Sequence, residues 1–174
     1  LRTSTFTPSY APPKPASQGD TKTCEEAVTD SKARIAACTR LIEDPNRTLA
    51  ELVSAHRNRC LARVVNKEKA DDALADCTRA VTLDPKSFTA LHTRAVVNNI
   101  AGKLDAALAD FTQAIALDPK NSSVHYNRAV LYLKKKELKS AIADYTAERN
   151  LNPAVREAVF RRNLCWARVS LNVE

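Results

Sequence analysis

The sequence predicts an all-α array of stacked helical hairpins, and three observations carry that prediction. The first is a ruler. Leu83-Asp84-Pro85, Leu117-Asp118-Pro119 and Leu151-Asn152-Pro153 close successive segments, and the prolines fall 34 residues apart. A fixed period of that size marks repeated helical units. The second is composition: only 2 of 174 residues are glycine, long β-branched runs are absent, and helix-favouring Ala, Leu, Lys, Arg and Glu are abundant. The third is amphipathic spacing, by which Phe88 to Pro119 reads as two helices joined at Gly102.

Each element follows in turn. Residues 1–22 are rich in Pro, Ser, Thr and Ala and show no helical period, so they are expected to form a disordered leader or linker. They lack the apolar core of a signal peptide but suit the segment that follows one after cleavage. No Met occurs in the chain, so Leu1 is read as a processed or truncated start. Residues 23–45 are expected to form a capping helix pair. CEEAVT, capped by Thr23 or Asp20, comes first, Asp30-Ser31 breaks the pattern, and KARIAACTRLI runs to Pro45. Its first helix is too short for a full repeat, and solenoids require such terminal caps.

Full units follow at 48–85, 88–119 and 122–153, with turns near Lys67–Ala70, at Gly102 and at Lys135-Lys136. The first unit is the longest, and its excess lies between Thr48 and His56. DDALADCTRAVTLDP there matches DAALADFTQAIALDP of the next almost position for position. Residues 154–174 are expected to be one terminal or truncated helix.

Aligned on these endings, Ala95 and Ala129 face Ala107 and Ala141, and the aromatic pair Phe111 and Tyr145 follows. Small Ala80 and Ala114 come next, then the closing prolines. In these columns residues 48–174 resemble tetratricopeptide repeats, three units in register. Two features depart: Glu148 stands in the column of Ala80 and Ala114, and the turn glycine survives only at Gly102. The resemblance implies a right-handed superhelix with a concave groove over residues 23–174. Small residues let the helices of one hairpin approach, while Leu91, Leu108, Phe111, Ile115 and Leu117 are expected to fill the space between hairpins.

Arg59, Arg94 and Arg128 recur in first helices, and Asp76, Asp110 and Asp144 in second helices. Arg94 lies eight residues before Gly102 and Asp110 eight after, level across the hairpin. An Arg–Asp pair inside each hairpin is expected; if exposed, each contributes about 0–1 kcal/mol. An anion-binding arginine row is the functional alternative.

The same symmetry bears on the cysteines. Cys24 and Cys38 have their midpoint at Ser31, and Cys60 and Cys77 have theirs between Glu68 and Lys69, both expected turns. Each pair is level across its hairpin, as a disulfide requires. The other reading is that these are small, free, buried residues in columns that elsewhere hold Ala or Phe. Disulfides imply a periplasmic or secreted protein, and free thiols a cytoplasmic one. The stretches TCEEAV, IAACTRLIEDP, ALADCTRAVTLDP and LCWAR resemble secreted or periplasmic tetratricopeptide-repeat proteins of proteobacteria, which points the same way. Cys165 has no level partner. Cys165-Trp-Ala-Arg-Val169 resembles Cys60-Leu-Ala-Arg-Val64, so the chain is expected to stop midway through another repeat, with a natural capping helix as the competing view.

No catalytic chemistry is legible. CxxC, HExxH, GxSxG, GxGxxG and phosphate-binding loops are absent, and His56, His92 and His125 lie in different units. The expectation is a non-enzymatic protein with no cofactor and no metal. No apolar run approaches the ~18 residues of a membrane span.

What remains is the groove. Its expected rows on the first helices are Arg57, His92, Tyr126 and Phe160, then Asn58, Thr93, Asn127 and Arg161, with Leu61, Val96, Val130 and Leu164 behind. Some members of the resembled family hold a carboxy-terminal carboxylate in an Asn/Lys/Arg clamp. Here the row of Leu61, Val96, Val130 and Leu164 is apolar where such a clamp needs Asn. An apolar floor with an aromatic and polar rim suits a peptide or protein segment with apolar anchors. The alternatives are ordinary inter-helix packing for part of the row, a purely architectural scaffold, and a nucleic-acid or anionic-surface binder. The last rests on charge: residues 120–174 hold 11 basic against 5 acidic side chains. The run from Lys134 to Lys139 has no aromatic interleaving of the kind single-stranded nucleic acid uses, which counts against it.

Overall fold

A computed structural model describes residues 15–26, 30–153 and 165. Among the described residues there are eight helices and no strand. They are α1 (Gln18–Glu25), α2 (Ser31–Glu43), α3 (Leu49–Val65), α4 (Ala70–Leu83), α5 (Phe88–Ile100), α6 (Leu104–Leu117), α7 (Ser122–Lys134) and α8 (Leu138–Leu151). Each pairs with the next along the chain, giving a solenoid of antiparallel hairpins. The segment expected at 154–174 lies outside the described residues, apart from Cys165, which is helical and exposed.

Local chemistry explains the helix starts. Asp30 Oδ1 accepts from the backbone N–H of Lys32 and Ala33 at 3.0 and 3.1 Å, and Ser87 caps α5. Thr48 and Glu51 form a reciprocal capping box ahead of α3. That start gives α3 17 residues against 13 in α5 and α7, which is where the extra length of its unit goes.

The N-terminal boundary differs from expectation. α1 begins at Gln18, five residues before Thr23, inside the segment read as leader. Ser17 and Asp20 form a capping box, with Ser17 N–H donating to Asp20 Oδ2 at 2.9 Å. Asp20 is thus the third helical residue rather than the cap of CEEAVT. It also receives Arg40 Nε at 2.7 Å, and these bonds, Arg40's first, hold its carboxyl well below the ordinary range.

The closing motif does more than stop a helix. Proline cannot continue it, and the preceding aspartate turns its carboxylate back on the chain. Asp84 Oδ1 accepts from Lys86 N–H at 3.0 Å, and Asp118 Oδ1 from Lys120 N–H at 3.3 Å.

Inside each full hairpin the small column is closed. Cys60, Ala95 and Ala129 and their counterparts Ala73, Ala107 and Ala141 are fully buried. Between hairpins one core runs through Val53, Val81, Leu91, Phe111, Val124 and Leu131, with Leu108 and Ile115 packed against it. Leu117 does not join it; it is 42% exposed as the last residue of α6. Glu148 is buried in the column that elsewhere holds Ala80 and Ala114.

All three turns use the left-handed region, including the two that lack glycine. The φ angles are 57° at Lys67, 74° at Gly102 and 61° at Lys136. An L-residue with a Cβ pays about 1–2 kcal/mol there. Replacing Lys67 or Lys136 by Gly is therefore expected to stabilise the fold by up to about 1 kcal/mol, part of the relief being offset by added freedom in the unfolded chain. Gly102→Ala should cost about 1 kcal/mol. Urea midpoints of the three variants check both signs.

Candidate interaction groove

The first helices α3, α5 and α7 carry the expected rows. Arg57, Leu61, His92, Val96, Tyr126, Asn127 and Val130 are all half-buried, and Val96, Tyr126 and Val130 pack against the hydrophobic cores. Asn58 is not a groove residue: it is 2% exposed, and Thr93 at the equivalent place is buried as well. Burial varies along this column, since Asn127 at the third equivalent place stays half-buried. Asn58 Oδ1 accepts from Arg57 Nη2 at 3.1 Å, while Asn58 Nδ2 and Arg57 Nε are buried without a hydrogen-bond partner. Phe160 and Arg161 lie outside the described residues.

Behind these rows lie aromatic rings of the core, Phe111 and Tyr145. His92 stacks on Phe88, with ring centroids 6.1 Å apart, and meets the edge of Phe111 at 5.7 Å. Tyr126 meets Tyr145 edge to face at 5.8 Å. Asn127 Nδ2 donates to His92 Nε2 at 3.1 Å, tying the rims of adjacent hairpins together. That bond needs an unprotonated Nε2, and burial lowers the His92 pKa from 6.5, favouring the neutral ring. A depressed folded-state value means that the stabilisation is present above pH 6.5 and is lost as pH falls through the folded value. The melting temperature should therefore fall between pH 7 and pH 5, and His92→Gln should flatten that fall. An unchanged slope in His92→Gln would assign the effect elsewhere.

Away from the open face, the structure brings each Arg–Asp set together. Arg59 Nε and Nη2 reach Asp76 at 2.8 and 2.6 Å, and Arg94 reaches Asp110 at 2.9 and 2.6 Å. Arg128 reaches Asp144 at 2.7 and 2.8 Å. All three are bidentate, and all three aspartates are buried, so the low value of an exposed pair does not apply. Sequence reasoning missed their further partners. His56 Nδ1 lies 3.0 Å from Asp76, His125 Nδ1 lies 3.3 Å from Asp144, and Arg63 and Asn98 add donors to Asp76 and Asp110. The histidines stand three residues before Arg59 and Arg128, one helical turn away, and that spacing was the available signal. Arg59 and Arg128 also reach back to Thr39 and Thr112 on the second helix of the preceding hairpin, at 3.0 and 3.1 Å.

The lysines of the third unit are engaged rather than free. Lys134 Nζ donates to Asn99 at 2.6 Å, and Lys135 Nζ contacts Asp105 at 2.6 Å and Glu137 at 2.9 Å. The cysteines are joined within their hairpins, Cys24 to Cys38 with Cα atoms 4.9 Å apart and Cys60 to Cys77 at 5.5 Å. Among the described residues no cluster of His, Cys, Asp or Glu is arranged to hold a metal, and no helix is long and apolar enough to cross a membrane.

Comparison with known proteins agrees with this architecture. The family model described as a TPR repeat matches residues 100–136. No curated protein sequence matches the chain. A crystal structure of MamA superposes with a TM-score of 0.71 at 18% identity, covering 83% of this chain and 80% of that one. MamA 41-end from Desulfovibrio magneticus RS-1 gives 0.74 at 15% identity, covering 89% and 83%. The first TPR of Spaghetti (RPAP3), bound to the HSP90 peptide SRMEEVD, gives 0.64 at 19% identity, covering 70% and 94%. At these identities the likeness is one of fold.

Proposed function

We propose that this chain, which has the fold of tetratricopeptide-repeat proteins, is a non-enzymatic interaction module that holds a protein or peptide segment in its concave groove. One observation carries this reading: a half-buried row of apolar and aromatic side chains, Leu61, Val96, Tyr126 and Val130, runs across three hairpins with Arg57 and Asn127 beside it, and Val96, Tyr126 and Val130 rest on the cores beneath. Buried polar sets hold the helices behind that row, so its shape is preformed and little ordering opposes binding. A structural neighbour solved with a bound peptide supports the mode. The anionic-surface reading loses ground, because Lys134 and Lys135 already contact Asn99 and Asp105.

Phage-displayed peptides selected against the wild-type protein test the groove. Enrichment should disappear with Leu61→Glu and Val130→Glu at unchanged far-UV circular dichroism, and should survive 0.5 M salt. Retention in both variants rejects the groove, and loss with salt alone would return the anionic reading.

The setting we propose is the cell envelope, with both cysteine pairs oxidised, since such bonds persist in oxidising compartments. Alkylation and mass mapping of protein from its native host test it. Free thiols at Cys24, Cys38, Cys60 and Cys77 would place the protein in a reducing compartment.

A further inference from the structure

The three full hairpins differ at one repeated position beside the Arg–Asp set, occupied by Arg63, Asn98 and Tyr132. In the first hairpin Arg63 spans this place, its Nη1 lying 2.8 Å from Asp76 Oδ2 and 2.9 Å from the carbonyl of Asp72. In the third, the guanidinium of Arg128 lies over the Tyr132 ring, 5.8 Å from its centroid. Asn98 is too short to do either. It turns inward to Asp110 Oδ2 at 3.3 Å and is buried, and an open cleft of about 340 Å³ remains between α4, α5 and α6. Arg94, Asn98 and Asp110 form one side, and Thr78, Ala106, Ala109 and Gln113 line the rest. The backward bond that Arg59 and Arg128 make to a threonine has no counterpart here. Among the described residues Arg94 bonds only Asp110, and the Thr78 hydroxyl and Arg94 Nη1 are unengaged.

We propose that this cleft receives a tyrosine side chain from a protein partner, its ring stacked on the Arg94 guanidinium as Tyr132 stacks on Arg128. The occupant is argued from the two neighbouring hairpins, each of which carries a larger planar side chain at this position, Arg63 against Asp76 and Tyr132 against Arg128. A guanidinium, the occupant in the first hairpin, suits this one poorly. Arg63 has Glu68 beside it at 3.4 Å as a second acid, and the residue equivalent to Glu68 in the second hairpin is the cation Lys103. A neutral ring needs no second acid, gains cation–π attraction from Arg94, and finds Thr78 and Gln113 for its hydroxyl. The site is separate from the groove row and stands or falls independently of it.

Titration of the ¹⁵N-labelled protein with p-cresol, followed by amide shifts, tests the proposal, with methylguanidinium and toluene as comparison probes. Saturable shifts at Thr78, Asn98 and Gln113, with a Kd on the order of millimolar, are expected from p-cresol alone. Asn98→Tyr should abolish them, its own ring filling the cleft, with no loss of melting temperature. The exposed substitution Ala109→Leu, which narrows the cleft without touching the core, should weaken binding about tenfold and keeps the test open if Asn98→Tyr misfolds. The absence of saturable p-cresol shifts, their persistence in both variants, or a response to methylguanidinium or toluene instead would overturn the assignment.

Discussion

Reducing both disulfides is expected to lower the unfolding free energy by about 3 kcal/mol per bridge, the largest effect available in this chain. The bonded cysteines are 14 and 17 residues apart, near the 15-residue loop for which chain entropy gives that figure. Against a total of roughly 5–15 kcal/mol for an ordinary domain, losing both would leave the N-terminal hairpins marginal. Cys60→Ala is the cleanest single probe. Ala95 and Ala129 occupy the same column in the next two hairpins, so alanine fits the space and the loss reports the crosslink. Cys77→Ala adds a cavity, because the equivalent position in the second hairpin holds the larger Phe111. Urea unfolding with and without reductant measures the effect. An unchanged midpoint would mean that the bonds are not formed in the folded protein.

Asp76→Ala comes next, at about 3 kcal/mol, the lower end of the range for breaking a buried ion pair by removing one partner. The carboxylate is 3% exposed and takes Arg59, Arg63 and His56 together, so its loss leaves the partly buried Arg59 guanidinium without a counter-charge and Arg63 with Glu68 alone. Asp110→Ala should cost less, since one arginine depends on it. Burial alone raises the Asp76 carboxyl, but the bonds from His56 and Arg59 and the charges of Arg59 and Arg63 outweigh it and hold it below 3.8. A lowered folded-state value means the contribution is whole above pH 3.8 and is lost as pH falls through the folded value. The stability gap between wild type and Asp76→Asn should therefore narrow in acid. A gap that stays constant to pH 2 would show that the carboxylate charge is not the stabilising feature.

The period, the hairpins and the level positions were legible because prolines, small residues and paired charges each leave a one-residue mark at a fixed distance from a turn. Arg94 and Asp110 can be matched by counting from Gly102, and Cys60 and Cys77 by counting from Glu68. Side-chain reach is harder to count. Arg59 and Arg128 extend to the preceding hairpin, while the same residue type at Arg94 does not, and that difference depends on stacking between units. Asn58 looked like a groove residue because linear spacing does not say how far the neighbouring hairpin covers the flank of a helix. The start of α1 was within reach, since Ser17 and Asp20 have the capping-box spacing, but the surrounding prolines and serines masked it. The left-handed turns at Lys67 and Lys136 follow from alignment with Gly102, not from anything in lysine itself.

The placement of the two cysteine crosslinks gives the array a direction. Both bonds lie among α1 to α4, while α5 to α8 are held by packing and polar contacts alone. In a solenoid where each unit leans only on its neighbours, loosening propagates from the weaker end. Hydrogen exchange should therefore be faster in α5 to α8 than in α1 to α4. Under a pulling force or a protease, the hairpins without a crosslink would open first while the amino-terminal ones stayed closed.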